Sequence, residues 1–301
     1  SRDNHLGSIK GGFLANYTWW LPASESNTDK CVLRIRYNMS SSDYDPWNTD
    51  SSSNFPRSAV EQDPYEYFNW KTQPLSLALN TNQYGRTFQD RSHAFKIIAR
   101  PANLDGVVIH NINVLGKRGH VTHVYPSFTY DFTPKFLHMK EGEYVHFQWE
   151  GSSTVRIGYI GGGKDRTERH NVVQIKDMKS NWPLPLDQQT MFGNPADAAT
   201  VARTTHFAMA GQEAGGGTGA CHSLEAMLDA VNYNEEESAQ KRWMAQMEMM
   251  MLDNNCAALN AAPEVFWSDP FPMSAGTYYY TSTRDNHPGL MSMKGAIFVT
   301  A

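Results

Sequence analysis

Short bursts of alternating apolar and polar residues run along the chain, each closed by a cluster of turn formers. Residues 13–22, FLANYTWWLP, read as a strand that stops at Pro22. In Cys31–Met39 the apolar Val32, Leu33 and Ile35 are broken by Arg34 and Arg36, which predicts a half-buried strand with its arginines on the wet face. Leu75–Leu79 and Ala94–Ala99 predict two further strands, joined by a turn-rich connection, Asn80–Ser92. Beyond the punctuation at Pro101–Asp105, Val107–Leu115 and Phe128–Phe132 predict strands. In Leu137–Trp149 a tight turn at Glu141-Gly142 precedes Val145, Phe147 and Trp149, which alternate with His146 and Gln148; the pattern predicts a hairpin. Gly276–Val299 holds Tyr278, Tyr279 and Tyr280, a polar loop, Lys294-Gly295 and an apolar run, the closing pair of strands.

Between about 152 and 270 the alternation dissolves into Gly, Pro, Asn and Asp. Gly161–Gly163 and Gly215–Gly217 read as flexible loops. Ser223–Asp229 and Glu235–Leu252 read as helices, the second with Trp243, Met244, Met247 and Met251 on one apolar face before Asn254-Asn255 ends it. The predicted architecture is mainly β, with two β-sandwich domains. Residues 1–104 form an immunoglobulin-like or cupredoxin-like sandwich, and residues 105–301 a second sandwich with a loop-and-helix insertion at about 152–270.

Charge narrows the function classes. The 301 residues are 12% aromatic and 19% charged, with a net charge of −5 and no basic run, which argues against a nucleic-acid surface. No apolar stretch approaches the ~18–20 residues of a membrane span. The sequence starts at Ser1 without Met and reads as a mature or processed piece. Cys221 and Cys256 flank the helical stretch and can close one disulfide, stabilising by about 3–4 kcal/mol through chain entropy. Cys31 is left as a buried thiol or as a partner for another segment or chain. Asn16 and Asn38 head N-glycosylation sequons, which together with the cysteines point to secretion.

The chemistry-bearing patterns are few. Gly276–Val299 resembles the closing segment of cupredoxins, in which a tyrosine-rich strand leads to a loop bearing Cys, His and Met. His287-Pro288-Gly289 and Met291–Gly295 fit that order, and LHMKEGEYVHFQW resembles the family's earlier strand pair. A blue-copper ion needs a thiolate beside two imidazoles and a weak axial ligand. Thr281, Ser282 and Thr283 stand where the cysteine belongs, and Glu150-Gly151-Ser152 where the first histidine is expected. His287 remains a weak metal candidate, with a backbone-bonded loop histidine as the competing reading. His120 and His123 fall on opposite faces if they lie in a strand. Gly161–Lys164 lacks phosphate-loop spacing, no Gly-x-Ser-x-Gly elbow exists, and Cys221-His222 has a disulfide partner available in Cys256. Met247–Met251 suggests a soft-metal site, a packing face or a partner face. No catalytic residue and no cofactor is expected.

Cys31–Tyr37 (CVLRIRY), Leu77–Ser92 (LALNTNQYGRTFQDRS), Leu115–Gly119 (LGKRG), Val145–Gly151 (VHFQWEG) and the closing STRDNH…KG resemble a family of large secreted protist proteins. That family was first met as a slime-mould developmental protein and is present in oomycetes. Its members are longer, with a cysteine-rich N-terminal part whose end resembles SRDNHLG at Ser1, so Cys31 is expected to have lost its partner with that part. The resemblance implies secretion, an extracellular structural role and no catalytic activity. The resulting expectation is a non-enzymatic protein that binds copies of itself or matrix components, as a filament or coat subunit, through sandwich edges. Its rivals are a copper-binding redox or storage protein and a carbohydrate binder stacking sugars on Trp19, Trp20, Trp47 and Trp70; core packing of those tryptophans is the plainer reading.

Overall fold

The computed structural model describes residues 18–21, 28–39, 52, 64–68, 72–77, 86–116, 130–153, 163–212, 221–284 and 293–301. The chain is mainly β and divides into two units, Ser1–Asp105 and Gly106–Ala301.

The first unit's longest elements are β1 (Thr28–Met39) and β4 (Arg86–Ile97), paired antiparallel with register shifts at Thr28/Cys31 and Leu33/Ile35. Two-residue strands β2 (Tyr65–Glu66) and β3 (Leu75–Ser76) form a second antiparallel pair. Most of the expected connection Asn80–Ser92 is therefore strand from Arg86 onward. The long ladder to β1 outweighs the turn preference of its Asp and Ser. Leu75–Leu79 shortens to Leu75–Ser76, and Thr18–Leu21 is not strand; residues 13–17 and 78–79 lie outside the described residues. Val32 and Leu33 are both exposed rather than half-buried.

The second unit is a two-sheet sandwich. One sheet orders β10 (Val265–Trp267), β8 (Tyr144–Glu150), β5 (Ile109–Gly116) and β6 (Tyr130–Thr133), with β11 (Phe271–Pro272) also on β8. The other orders β7 (Phe136–Lys140), β13 (Lys294–Thr300), β12 (Gly276–Thr281) and β9 (Val173–Ile175). Alternation fills the space between them: Val145, Phe147 and Trp149 point in from β8, Leu137 and Met139 from β7, and Tyr278 and Tyr280 from β12. Phe147 meets Phe207 edge-on at 5.3 Å and Tyr280 at 5.6 Å, contacts that supply much of the burial.

The Glu141-Gly142 turn is tight, with the Glu143 N–H donating to Lys140 O at 3.1 Å, but it does not make a hairpin. β7 and β8 belong to opposite sheets, β7 parallel to β13 and β8 parallel to β5. Both strands bury their alternate residues in the same core from facing sides, so the turn arches across the sandwich.

The irregular region also returns to the sandwich. β9 pairs with β12 and β10 with β8, so the span 152–270 contributes two edge strands. Its described residues hold three helices: α1 (Ala198–Ala208), α2 (Leu224–Ala230) and α3 (Ala239–Met251). α1 was not expected; its Phe207 enters the sandwich core. Ser223 caps α2 by accepting from Ala226 N, and Ser238 caps α3 by accepting from Lys241 N, which is why the second helix starts after Glu235. The Cys221–Cys256 disulfide is present, joining α2 and α3 to the segment that leads into β10. No helix among the described residues is long and apolar enough to cross a membrane.

Candidate functional site

The polar groups of the second unit gather where β12 ends and β13 begins. Asn171, just before β9, is buried and binds three places at once. Its Nδ2 donates to Ala208 O at 2.7 Å, at the end of α1, and lies 2.9 Å from Thr283 Oγ1. Its Oδ1 accepts from Thr283 N at 2.7 Å and from Ser282 Oγ at 3.3 Å. Thr281 Oγ1 donates to Met293 O at 2.9 Å, and the Ser282 N–H donates to the same carbonyl at 3.2 Å. The Arg284 N–H donates to Ser282 Oγ at 3.2 Å.

Beneath this lies a buried chain of side chains. Tyr130 Oη donates to Glu168 Oε2 at 3.0 Å, and His170 Nε2 lies 2.9 Å from Glu168 Oε1. The Tyr130 and His170 rings meet edge to face at 5.0 Å. Arg169 faces the other way: its Nε donates to Ala262 O at 2.7 Å and its Nη1 to Ser152 O at 2.8 Å, tying the start of the irregular region to its end. Burial drives the Arg169 pKa down against the carboxylates of Glu264 and Glu168.

On the other side of β12 and β13, Lys135 Nζ bonds Asp131 at 2.6 Å. Burial still raises the Asp131 pKa above its ordinary value, outweighing the lowering by Lys135. The Tyr280 hydroxyl, fully buried and near Asp131, is pushed far above the usual phenol range. Burial lowers the Lys294 pKa; its Nζ donates to Met178 O at 3.0 Å and Asn181 Oδ1 at 2.7 Å.

Of the residues singled out in the sequence, His287, His120, His123, Asn16, Trp47 and Trp70 lie outside the described residues, as do Gly161, Gly162 and Gly215–Gly217. Asn38 is in β1 opposite Thr87. Lys164 pairs with Asp253 at 2.8 Å instead of facing an open phosphate cradle. Trp19 and Trp20 are exposed, against the plainer reading of core tryptophans. Glu150-Gly151-Ser152 does not hold the buried histidine position of this pole. His170 does, reached only after the intervening residues, and the run Arg169-His170-Asn171 ahead of two valines was its one signal.

Residues 107–299 match the DD3-3 cupredoxin-like domain and residues 1–97 the DD3-3 N-terminal domain. The chain belongs to the DD3-3 family. Its second unit is the family's cupredoxin-like domain, preceded by the family's N-terminal domain. A solved structure of auracyanin B is similar to the DD3-3 chain at 13% identity, over 64% of this chain and 88% of that one, with a TM-score of 0.21. No curated protein matches.

Copper is the ion that a cupredoxin-like fold brings to mind, and the DD3-3 donor set does not fit a type-1 ion. His170 and Met293 are buried at the right pole, but the thiolate has no source in this unit. Cys221 and Cys256 are tied to each other, and Cys31 belongs to the first unit. The hydroxyls of Thr281, Ser282 and Thr283 fill the place and are engaged by Asn171 and Met293 O. Among the described residues no three His, Cys, Asp or Glu side chains cluster as a metal site.

Proposed function

We propose that this DD3-3 chain is a non-enzymatic extracellular structural protein that associates with copies of itself, as the repeating subunit of a filament or coat. The observation that carries the reading is strand β10. Among the described residues it is an edge strand, bonded on one side to β8. Val265 is 47% and Trp267 66% exposed, while Phe266 points into the core. Edge strands that stay monomeric are guarded by charge or proline. Pro270 and Pro272 guard the β11 half of this edge; β10 is three residues long and follows Pro263 and Glu264, but Val265–Trp267 itself carries neither charge nor proline. Such an edge accepts a further strand, with main-chain bonds giving affinity and Trp267 an aromatic anchor. The disulfide and the two sequons suit an oxidising, extracellular setting. The hydroxyl-filled pole suits a scaffold better than a copper carrier.

The test is light-scattering mass and negative-stain imaging of the purified chain against Val265→Lys and Trp267→Lys. Concentration-dependent oligomers that vanish in the lysine variants support the reading. A chain that stays monomeric at millimolar concentration, or oligomers indifferent to both variants, overturns it. Exposed Trp19 and Trp20 favour a second reading, a sugar-stacking surface on the N-terminal domain. Glycan-array binding lost in Trp20→Ala would support that surface.

A further inference from the structure

We propose that β10 pairs with β10 of a second copy of this chain, antiparallel about a two-fold axis at Phe266, and that Glu264 of each copy then meets Arg203 and His206 of the other. The inference rests on the self-association proposed above and adds its partner segment, register and symmetry. Three observations carry it. The first is the phase of the main chain. The Gly151 N–H donates to Glu264 O, and the Ser268 N–H donates to Phe147 O at 2.8 Å, so Glu264, Phe266 and Ser268 turn their main-chain groups to β8. Alternate residues of an antiparallel strand turn those groups to opposite sides. Val265 and Trp267 therefore direct N–H and C=O toward the edge that is open among the described residues. A two-fold axis at Phe266 sets Val265 opposite the partner's Trp267, and Trp267 opposite the partner's Val265. These two pairs make four main-chain hydrogen bonds and use every outward group of the strand. A slip of one residue sets outward groups against Phe266, whose own groups face β8. A slip of two brings in Pro263, which has no N–H, or runs past Trp267 out of the strand.

The second observation is apolar surface. In this register the exposed Trp267 lies across from the partner's exposed Val265 on the outer face of the sheet, twice over. An aromatic ring beside a β-branched side chain is a favourable cross-strand pair. The third is charge. Glu264 and Ser268 share a face with Phe266, so Glu264 reaches the partner's Ser268 on the side of α1. There a cleft of about 290 Å³ is lined by Arg203, His206, Phe207, Ser268, Asp269 and Phe271. Arg203 stands 5.4 Å from the centre of the Phe271 ring, and its Nη1 donates to Phe192 O at 3.3 Å, which holds the cation at the cleft. Glu264 is exposed, and its neighbour Arg169 gives its donors to Ala262 O, Ser152 O and Ser153 Oγ. The Glu264 carboxylate is thus available to a cation across the joint. Asp269, the cleft's own acid, acts on His146 of β8 and lies opposite the partner's Pro263 in this register. A two-fold joint uses the same patch on both copies and closes, so the dimer is the unit that a filament or coat repeats through another surface.

The experiment uses the whole chain with Cys31→Ser, so that no disulfide links copies, and follows sedimentation velocity from micromolar to millimolar concentration. The wild type should form a dimer. Glu264→Arg or Arg203→Glu alone should weaken it by roughly ten- to a hundredfold, because each turns two surface ion pairs into two repulsions. An equimolar mixture of the two variants should recover a heterodimer of near wild-type affinity, since both joints then pair opposite charges. Recovery on mixing requires both variants to be folded, and far-UV circular dichroism checks each one alone. Failure of the mixture to recover overturns the proposal. Dimers indifferent to both charge reversals but lost in Trp267→Lys overturn this register and leave the β10 edge as the site of self-association. A wild type that stays monomeric overturns both readings.

Discussion

Gly295 gives the sharpest test of the packing at the cupredoxin pole. It lies opposite Tyr280 in the β12–β13 pair, and the Tyr280 ring lies across it, fully buried between Phe132 at 4.8 Å and Phe147 at 5.6 Å. A Cβ at Gly295 would sit 2.8 Å from Tyr280 Cε2 and closer still to Cζ and Oη. Neither neighbouring ring leaves room for the tyrosine to swing aside, so Gly295→Ala is an overpacking change that costs about 1–3 kcal/mol. For a unit of this size the melting temperature should fall by roughly 3–9 °C, at about 3 °C per kcal/mol. Scanning calorimetry of the whole chain, with near-UV circular dichroism to follow the tyrosines, measures it. The control is a double-mutant cycle. In a Tyr280→Leu background the ring is gone, and Gly295→Ala should then cost less than about 0.5 kcal/mol. An equal cost in both backgrounds, or a wild-type melting temperature for Gly295→Ala, would refute the account of Gly295 as the seat of the Tyr280 ring.

Asn171→Ala should destabilise by about 2–4 kcal/mol in urea denaturation, because Thr283 N and Ala208 O lose a buried partner together. Asp131 is raised above its ordinary value of 3.8, so its contribution is full below that pH and is lost as pH rises through the folded pKa. Asp131→Asn, which can still accept from Phe132 N, should gain on the wild type as urea denaturation moves from about pH 4 to about pH 7; a widening loss would show the Lys135 ion pair dominating. Replacing Cys221 and Cys256 by Ser should cost about 3–4 kcal/mol. The loss should appear as faster proteolysis confined to α2, α3 and the segment before β10, with the sandwich tyrosines unaffected.

Much of the sandwich was legible because alternation at Val145, Phe147 and Trp149, and at Tyr278 and Tyr280, marks strands with one buried face. Period two fixes the face but not the partner, so the arch from β7 to β8 looked like a hairpin. β4 was half hidden because Asp90 and Ser92 are turn formers held in strand by the ladder to β1. α1 gave no signal because threonines and a histidine dilute its pattern, leaving Phe207 as its only large buried apolar residue. The pole was legible only in part. The Lys-Gly signature was visible, and its reason is now physical: Lys294 ties down Met178 and Asn181, and Gly295 makes room for Tyr280. Glu168, His170 and Asn171 were missed because they follow an irregular stretch, and the family-based expectation looked for a histidine directly after Trp149.

Strand β13 sits inside its sheet, flanked by β7 and β12, although it comes after every other strand in sequence. During synthesis β7 leaves the ribosome long before its partner β13 exists, since Phe136–Lys140 must wait for Ala296–Thr300. Until then Leu137 and Met139 have no closed core to enter, and the open edge of β7 is exposed to other chains. A ribosome that stalls before Lys294 thus releases an unclosed sandwich with its central seam missing. Closure of this sheet therefore waits on the arrival of one segment, Lys294–Thr300.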